Sequence, residues 1–269
     1  MPEGHVIHRL AGEYDAAFAG SAVSVTSPQG RFADSAALLI GRSLVDTDAY
    51  GKHLFLNFDD DRAVHVHLGL YGKVAFGRSP APEPVGLVRM RVEGNGSYAD
   101  LRGPTACELM SQKQVAAVID RLGPDPIRTD ADPERAWVRL QTSRSSIGSL
   151  LMDQRTFAGV GNIYRAEVLF RARVNPYRES RAVRRKTFDG LWDDLVTLMR
   201  LGMRDGRIDT VRPEHEPEVM GRAPREDRHG GEVYVYRRDG QRCFVCGSKV
   251  RLEQMQGRTL YWCPRCQRR

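Results

Sequence analysis

Residues 243–266 read CFVCGSKVRLEQMQGRTLYWCPRC and contain two Cys-x2-Cys pairs separated by sixteen residues. Paired thiols at this spacing can supply four ligands to one tetrahedral zinc ion, one pair from each end of a hairpin. The predicted ligands are Cys243, Cys246, Cys263 and Cys266. Four protein ligands leave no open coordination position, so the zinc should be structural rather than catalytic. The chain is therefore expected to end in a small zinc-finger β-hairpin.

The residues before this finger have the pattern of a helical domain. Apolar residues recur at helical spacing over four segments, 132–141, 146–156, 162–172 and 187–203. Gly159-Val160-Gly161-Asn162 separates the middle two and indicates a helix–two-turn–helix motif. Asn162 could cap the following helix, as in an ordinary helix connection, or help its free N–H groups to bind a phosphate. Residues 206–231 are charged, rich in Pro and Gly and without apolar period, and are predicted to form a mobile loop.

The first part of the chain has a different pattern. Apolar residues at three-to-four spacing predict a helix that begins within a few residues of the N-terminus and stops near Gly20. Short β-rich runs between residues 21 and 102, separated by Gly, Asp and Pro, predict a β-sandwich. A helix over 111–121 is followed by Gly123-Pro124-Asp125-Pro126, a candidate hinge, and the lone Cys107 is expected to be a packed residue near a strand end.

These patterns predict an α+β fold in three parts. Residues 1–123 form an N-terminal helix and β-sandwich domain, which the resemblance described below makes the catalytic domain. Residues 124–231 form the helix–two-turn–helix domain with its loop, and residues 232–269 form the zinc finger.

Charge and composition limit the partners. The chain has 41 basic and 34 acidic residues, a net charge of +7, and residues 237–269 alone contain nine basic and two acidic residues. Such a tail favours a polyanion such as nucleic acid, although it could be a solvated terminus or contact an acidic membrane surface. There is no apolar run of the ~20 residues that a membrane span needs, and no signal-peptide pattern at the start. We expect a cytoplasmic protein that associates with the nucleoid through DNA, does not bind membranes and is a monomer.

The N-terminus offers unusual chemistry. Once Met1 is removed, Pro2 exposes a secondary amine, and α-amines titrate near 7.7–8.0 whereas lysine titrates near 10.4. The positive end of the following helix disfavours the ammonium further, so this amine could attack a sugar carbon and form an iminium. Glu3 beside it could transfer protons. The alternative is an ordinary helix opening, with Pro at the first helical position and an acid in the first turn.

Taken together, these features resemble the formamidopyrimidine-DNA glycosylase and endonuclease VIII family. Its members begin Pro-Glu, carry a helix–two-turn–helix with Gly-x-Gly-Asn and end in a finger with paired cysteines. The match spans the chain and includes Gly51-Lys52-His53, Arg121-Leu122-Gly123-Pro124-Asp125 and Gly257-Arg258-Thr259. Leu70-Tyr71-Gly72 looks more like the endonuclease VIII branch, and the whole is similar to actinobacterial enzymes of that type.

The resemblance implies a bifunctional glycosylase and lyase that acts on oxidised bases in damaged double-stranded DNA. Pro2 would attack C1′ of the damaged nucleotide and form a Schiff base that breaks down by β- and then δ-elimination, with Glu3 as proton donor. Lys52 would contact phosphate and assist β-elimination. Arg258 would bind a phosphate beside the lesion and act in δ-elimination.

The resemblance also implies residues that bind DNA without taking part in the chemistry. Arg121 and Asn162 match positions that contact the DNA backbone. Leu70 and Tyr71, on a turn, would fill the space left by the extruded base. Glu167 matches a glutamate near the active centre of the family, although a salt-bridged helix acid is the alternative.

Three residues depart from the family pattern. The opening often reads Pro-Glu-x-Pro-Glu, whereas His5 and Val6 stand in the last two places here, so a second carboxylate is missing. Gly69 stands where a larger side chain can fill the base stack, which leaves that role to Leu70 and Tyr71.

The sequence leaves several functions open. Oxidised pyrimidines are the expected substrates, with oxidised purines as the alternative. A non-catalytic protein that binds damaged DNA, or an RNA-binding protein, would use the same basic finger and glycine turn.

Overall fold

The structure is a computed structural model that describes residues 2–226 and 231–268. The chain divides into two compact units, residues 1–121 and 122–269. The elements of the first unit, in chain order, are α1 (Gly4–Phe18), β1 (Ser21–Ala22), β2 (Ser24–Thr26), α2 (Ala33–Ala37), β3 (Ser43–Tyr50), β4 (His53–Phe58), β5 (Arg62–His67), β6 (Lys73–Arg78), β7 (Val88–Gly94), β8 (Ser97–Arg102), β9 (Ala106–Ser111) and α3 (Gln112–Ile119).

The first unit is a β-sandwich covered at one side by the N-terminal helix, as predicted. One sheet has the strand order β1-β3-β4-β5-β9 and the other the order β2-β7-β8-β6, with antiparallel pairing throughout. Apolar side chains of both sheets and of α1 form one core. The buried face of α1 carries Ile7, Leu10, Tyr14 and Phe18, the three-to-four spacing on which the helix was predicted. Cys107 is buried in β9, and its burial raises the pKa of the thiol to about 12.

The second unit is helical and ends in a hairpin. Its elements are α4 (Pro133–Thr142), α5 (Ile147–Leu150), α6 (Asn162–Arg171), a 3-10 helix (Ser180–Ala182), α7 (Arg185–Asp205), a 3-10 helix (Pro213–His215), α8 (Pro217–Met220), β10 (Arg251–Met255) and β11 (Arg258–Trp262). The strands β10 and β11 pair antiparallel across the turn at Gln256 and Gly257. No helix within the ranges that the structure describes is both long and apolar enough to cross a membrane.

Two predictions in this unit were wrong. The helix expected over 146–156 ends at Leu150, because the Asp153 carboxylate accepts a hydrogen bond from the Arg155 N–H at 2.9 Å and favours a turn instead. The segment predicted as a loop without elements, 206–231, contains two short helices that begin at Pro213 and Pro217, where a missing N–H costs nothing. Residues 227–230 of that segment lie outside the described residues.

Candidate functional site

The Pro2-Glu3 pair lies just before α1. Glu3 is the N-cap residue, with extended backbone, and its side chain makes no capping hydrogen bond. It is only 3% exposed, so a carboxyl group is buried beside the positive end of the helix. Pro2 therefore precedes the helix, and the first turn holds no acid. The predicted placement of Pro at the first helical position, with an acid in the first turn, is therefore wrong.

Lys52 lies in the tight turn between β3 and β4, beside a histidine cluster that the sequence analysis missed. The Nδ1 atom of His53 lies 2.8 Å from Nε2 of His65. The ring of His53 also lies 5.1 Å, centroid to centroid, from the ring of His67. The sequence did hold part of the signal, because His65 and His67 alternate on one strand and so share a face.

This cluster stays neutral while two cations lie close to it. Burial, together with the smaller effects of His65, His67, Arg121 and Lys52, lowers the pKa of His53 to about 3. Burial also lowers the pKa of His67, with Lys52 as the second cause. Lys52 and Arg121, predicted from separate motifs, thus act on the same imidazole. A neutral imidazole still offers one N–H donor, so this end of the sheet can bind an anion.

The turn between β5 and β6 exposes two apolar residues. Leu70 is 57% and Tyr71 is 85% exposed. Gly69 before them has φ +67°, and a Cβ atom at that position would lie 1.8 Å from Oγ1 of Thr105. A larger side chain therefore does not fit at residue 69, so the exposed apolar surface of the turn lies on the next two residues.

Asn162 fixes the hairpin rather than capping its helix. The N-cap of α6 is Gly161, and no side chain caps it, so the capping role considered for Asn162 is wrong. The Asn162 Nδ2 atom donates to the Thr259 carbonyl at 2.9 Å. Arg165 donates to the same carbonyl at 2.8 Å and to Oδ1 of Asn162. These hydrogen bonds hold the backbone of Thr259, the residue after Arg258. Arg258 itself is exposed at the start of β11.

The two turns before α6 are held by a side chain that the sequence did not single out. Gly159 has φ +83°, a conformation that glycine adopts without strain. The Gln154 amide accepts from the Gly159 N–H at 3.0 Å and donates to the Val160 carbonyl at 2.9 Å. One side chain therefore holds the turn through both a backbone N–H group and a backbone carbonyl.

Glu167 is fully buried on α6 and is not a salt-bridged helix acid. Its carboxylate accepts hydrogen bonds from the backbone N–H groups of Tyr234 (2.7 Å), Val235 (2.9 Å) and Tyr236 (2.8 Å). The Thr210 hydroxyl is a fourth donor, at 2.6 Å. Within residues 2–226 and 231–268 it has no ion-pair partner. Glu167 therefore holds two chain segments that are distant in sequence.

The four predicted metal ligands come together. The Sγ atoms of Cys243, Cys246, Cys263 and Cys266 all lie within 4.8 Å of one another. Two of the edges measure 3.8 Å (Cys243 to Cys266) and 3.5 Å (Cys246 to Cys263). A tetrahedron with Zn–S bonds of about 2.3 Å has edges of about 3.8 Å. The donor set and its spacing thus fit one tetrahedral metal ion.

Comparison with known families matches both units. Residues 1–107 match the formamidopyrimidine-DNA glycosylase N-terminal domain, and residues 122–212 match the formamidopyrimidine-DNA glycosylase H2TH domain. Endonuclease 8 1 of Mycobacterium tuberculosis is 51% identical over 271 residues, covering 99% of this chain and 100% of the relative. The formamidopyrimidine-DNA glycosylase of Mycobacterium avium is 32% identical over 244 residues, covering 88% and 84%.

Solved structures share the fold. The Lactococcus lactis Fpg (MutM) in complex with DNA containing N7-benzyl-Fapy-dG superposes with a TM-score of 0.80 at 22% identity, over 100% of both chains. The same protein in complex with DNA containing an abasic site also gives a TM-score of 0.80, at 22% identity, over 99% of this chain and 100% of the other.

Proposed function

The chain belongs to the formamidopyrimidine-DNA glycosylase and endonuclease VIII family, and from this premise we propose that it excises oxidised pyrimidines from duplex DNA and cleaves the strand. The single observation that carries the proposal is the placement of Pro2 before α1 with the buried Glu3 carboxyl beside it. The 51% identity to a protein named endonuclease 8 1 supports the pyrimidine branch. The resemblance of Leu70-Tyr71-Gly72 to that branch agrees with it.

The proposed reaction begins at the Pro2 amine, after Met1 has been removed. Its lone pair attacks C1′, and the bond from C1′ to the damaged base breaks with both electrons leaving on the base, which takes up a proton. Glu3 serves as the proton donor. Opening of the sugar ring leaves an iminium between Pro2 and C1′. Loss of a proton from C2′ then breaks the C3′–O bond, and a second elimination breaks the C5′–O bond.

Cationic side chains of each unit would bind the phosphates during these steps. In the first unit, Lys52 and Arg121 lie beside the neutral histidines, so a phosphate there meets two cations and N–H donors. In the second unit, the contacts of Asn162 with Thr259 hold the strand on which Arg258 is exposed. We assign Lys52 to β-elimination and Arg258 to δ-elimination. Arg121 and Asn162 bind the DNA backbone.

The exposed turn supplies a wedge for base extrusion. An enzyme that works on a base must remove it from the stack, which costs a few kcal/mol and leaves a gap. Leu70 and Tyr71 are apolar and open to solvent, as a side chain that fills this gap must be. One zinc ion on the four cysteines would hold the base of the β10–β11 hairpin and supply no step of the reaction.

The remaining expectations stay predictions. They are the three-part division at residues 123 and 231, the monomeric state and the cytoplasmic location.

Glu3→Gln tests whether the protein is an enzyme or only binds damaged DNA. The carboxamide keeps the shape of the side chain but cannot donate the proton, so we expect base release to fall by about 10²-fold or more with unchanged duplex binding. The matched control is Glu13→Gln on the same helix, whose exposed carboxylate pairs with Arg9. If Glu3→Gln releases the base at the wild-type rate, the catalytic assignment is wrong.

The substrate branch is tested with matched duplexes that differ only in the lesion. We expect faster release of 5-hydroxyuracil or thymine glycol than of 8-oxoguanine. A clear preference for 8-oxoguanine would instead assign the chain to oxidised purines, while leaving the Pro2 chemistry in place.

A further inference from the structure

A second cationic site lies in the second unit, at the end of α6 opposite to Asn162. A cavity of about 90 Å³ opens there. Its polar lining consists of Arg171, Arg173, Arg212, Glu214, His215, Tyr234 and the predicted zinc ligand Cys266. The helix has ten residues, so the cavity is about 14 Å along the axis from Asn162. It is therefore separate from the residues assigned to DNA.

Arg173 reaches the cavity from a strained backbone position. It follows the C-cap of α6 and has φ +54°. Its N–H donates to the Phe170 carbonyl and the next N–H, of Val174, donates to the Leu169 carbonyl, both at 2.9 Å. These two bonds define a Schellman motif, in which glycine usually occupies the left-handed position because any side chain is strained there. An arginine stands at this left-handed position instead, and its side chain lines the cavity.

Two of the three guanidinium groups in the cavity form no ion pair within the part of the chain that the structure describes. Arg171 is paired with Asp194, at 2.6 and 2.8 Å. Neither the Arg173 nor the Arg212 side chain has a hydrogen-bond or ion-pair partner among residues 2–226 and 231–268. Both residues are exposed, so water screens their mutual repulsion, and an anion held between them would pair with both. The acidic residue of the lining, Glu214, keeps 58% of its side chain exposed.

A hydrogen-bond chain adds a further donor. The Tyr234 hydroxyl accepts from the Arg212 N–H at 2.9 Å and lies 3.1 Å from Nδ1 of His215. When the hydroxyl proton is donated to Nδ1, the imidazole carries its own proton on Nε2, which is then a donor. The lining thus combines two unpaired guanidinium groups with an N–H donor.

We propose that this cavity binds a tetrahedral oxyanion, either inorganic phosphate or the phosphate group of a monoester. Planar guanidinium groups bind phosphate oxygens in a bidentate manner. The cavity has room for one phosphate group. Because Arg212 belongs to the segment after α7 and Arg173 to the end of α6, the anion would tie that segment to the helix. No step of base removal uses this site.

Thermal unfolding of the zinc-loaded chain at constant ionic strength, with chloride replaced by phosphate, tests the proposal. At ten times the Kd we expect the midpoint to rise by about 3–6 °C. Arg173→Gly should fold at least as well as the wild type because glycine relieves the strained position, yet it should lose at least half of this rise. Arg212→Ala should lose it as well.

Two controls separate this cavity from other phosphate contacts. Arg184→Ala removes an exposed arginine elsewhere in the unit, and Arg258→Ala removes one assigned to DNA, so both should keep the rise that the cavity provides. Thymidine 5′-monophosphate replaces phosphate in a parallel series. A rise with both compounds identifies a site open to monoesters, and a rise with inorganic phosphate alone identifies a site for the free ion. If Arg173→Gly and Arg212→Ala keep the wild-type rise in both series, the proposal is wrong.

Discussion

Replacement of Glu167 should loosen the segment around Tyr234 without unfolding the helix that carries the carboxylate. A hydrogen bond to a charged group contributes about 1.5–3 kcal/mol. In Glu167→Gln one oxygen becomes an NH2 group that cannot accept. If this group replaces Oε2, the Thr210 hydroxyl can rotate and accept from it, but the Tyr234 N–H loses its acceptor. The variant loses at least one hydrogen bond outright, and the remaining ones go to a neutral group.

Amide hydrogen exchange measures this loss directly. A fall of about 1.5–3 kcal/mol in the free energy of local opening speeds exchange at the Tyr234 amide by about 10- to 150-fold. In Glu167→Ala all four donors lose their acceptor, so the expected loss is larger than in Glu167→Gln, with faster exchange at Val235 and Tyr236 as well.

The control is Glu134→Gln, because the Glu134 carboxylate is 51% exposed and pairs with Arg185 on the surface. This variant should leave exchange at residues 234–236 unchanged. Wild-type protection of these amides in both Glu167 variants would refute the role given to the carboxylate.

Three further predictions concern pH, a buried ion pair and the metal. Burial and the neighbouring charged groups lower the pKa of His53 to about 3, so below about pH 6.5 the unfolded chain binds a proton that the folded chain excludes. The free energy of unfolding is therefore highest above that pH and falls by up to about 1.4 kcal/mol per pH unit below it. In urea unfolding of His53→Phe between pH 5 and 7, the dependence of this free energy on pH should be smaller by one proton. Burial alone would raise the pKa of Asp100, but the Arg91 and Arg102 guanidinium groups outweigh it and lower the pKa. The ion pair between Arg91 and Asp100 therefore stabilises the fold above about pH 4 and loses this effect in acid. Asp100→Asn leaves the buried Arg91 without this carboxylate, so urea unfolding near pH 7 should show a loss of about 3–5 kcal/mol; an unchanged free energy of unfolding would contradict the role of the ion pair. Chelation should release one zinc ion per chain and speed amide exchange across Arg251–Trp262 while residues 2–121 keep their protection; an unchanged hairpin after complete removal of zinc would contradict a structural metal.

Features that depend on neighbouring residues could be predicted from the sequence. The helix α1 follows from apolar residues three and four apart, because that spacing alone places them on one face. The four cysteines could be assigned as ligands because two close pairs at a hairpin spacing need no knowledge of the rest of the fold.

Features that depend on distant pairing could not be predicted. The short run Ala22–Val25 has the composition of one strand, yet Ala22 pairs with Ser43 in one sheet and Val25 with Val92 in the other. The histidine cluster requires the register between β4 and β5, which no local pattern fixes.

The partners of Glu167 were equally hidden. They are more than forty residues from it in sequence, so only the fold brings them together.

Borohydride trapping tests the central claim most directly. Full-length protein is incubated with a duplex that contains an abasic site, the iminium is reduced to a stable amine, and the linked residue is located by mass mapping. We predict one covalent adduct, on the nitrogen of Pro2. Tight binding with no adduct, or an adduct on a lysine such as Lys52, would contradict Pro2 as the nucleophile.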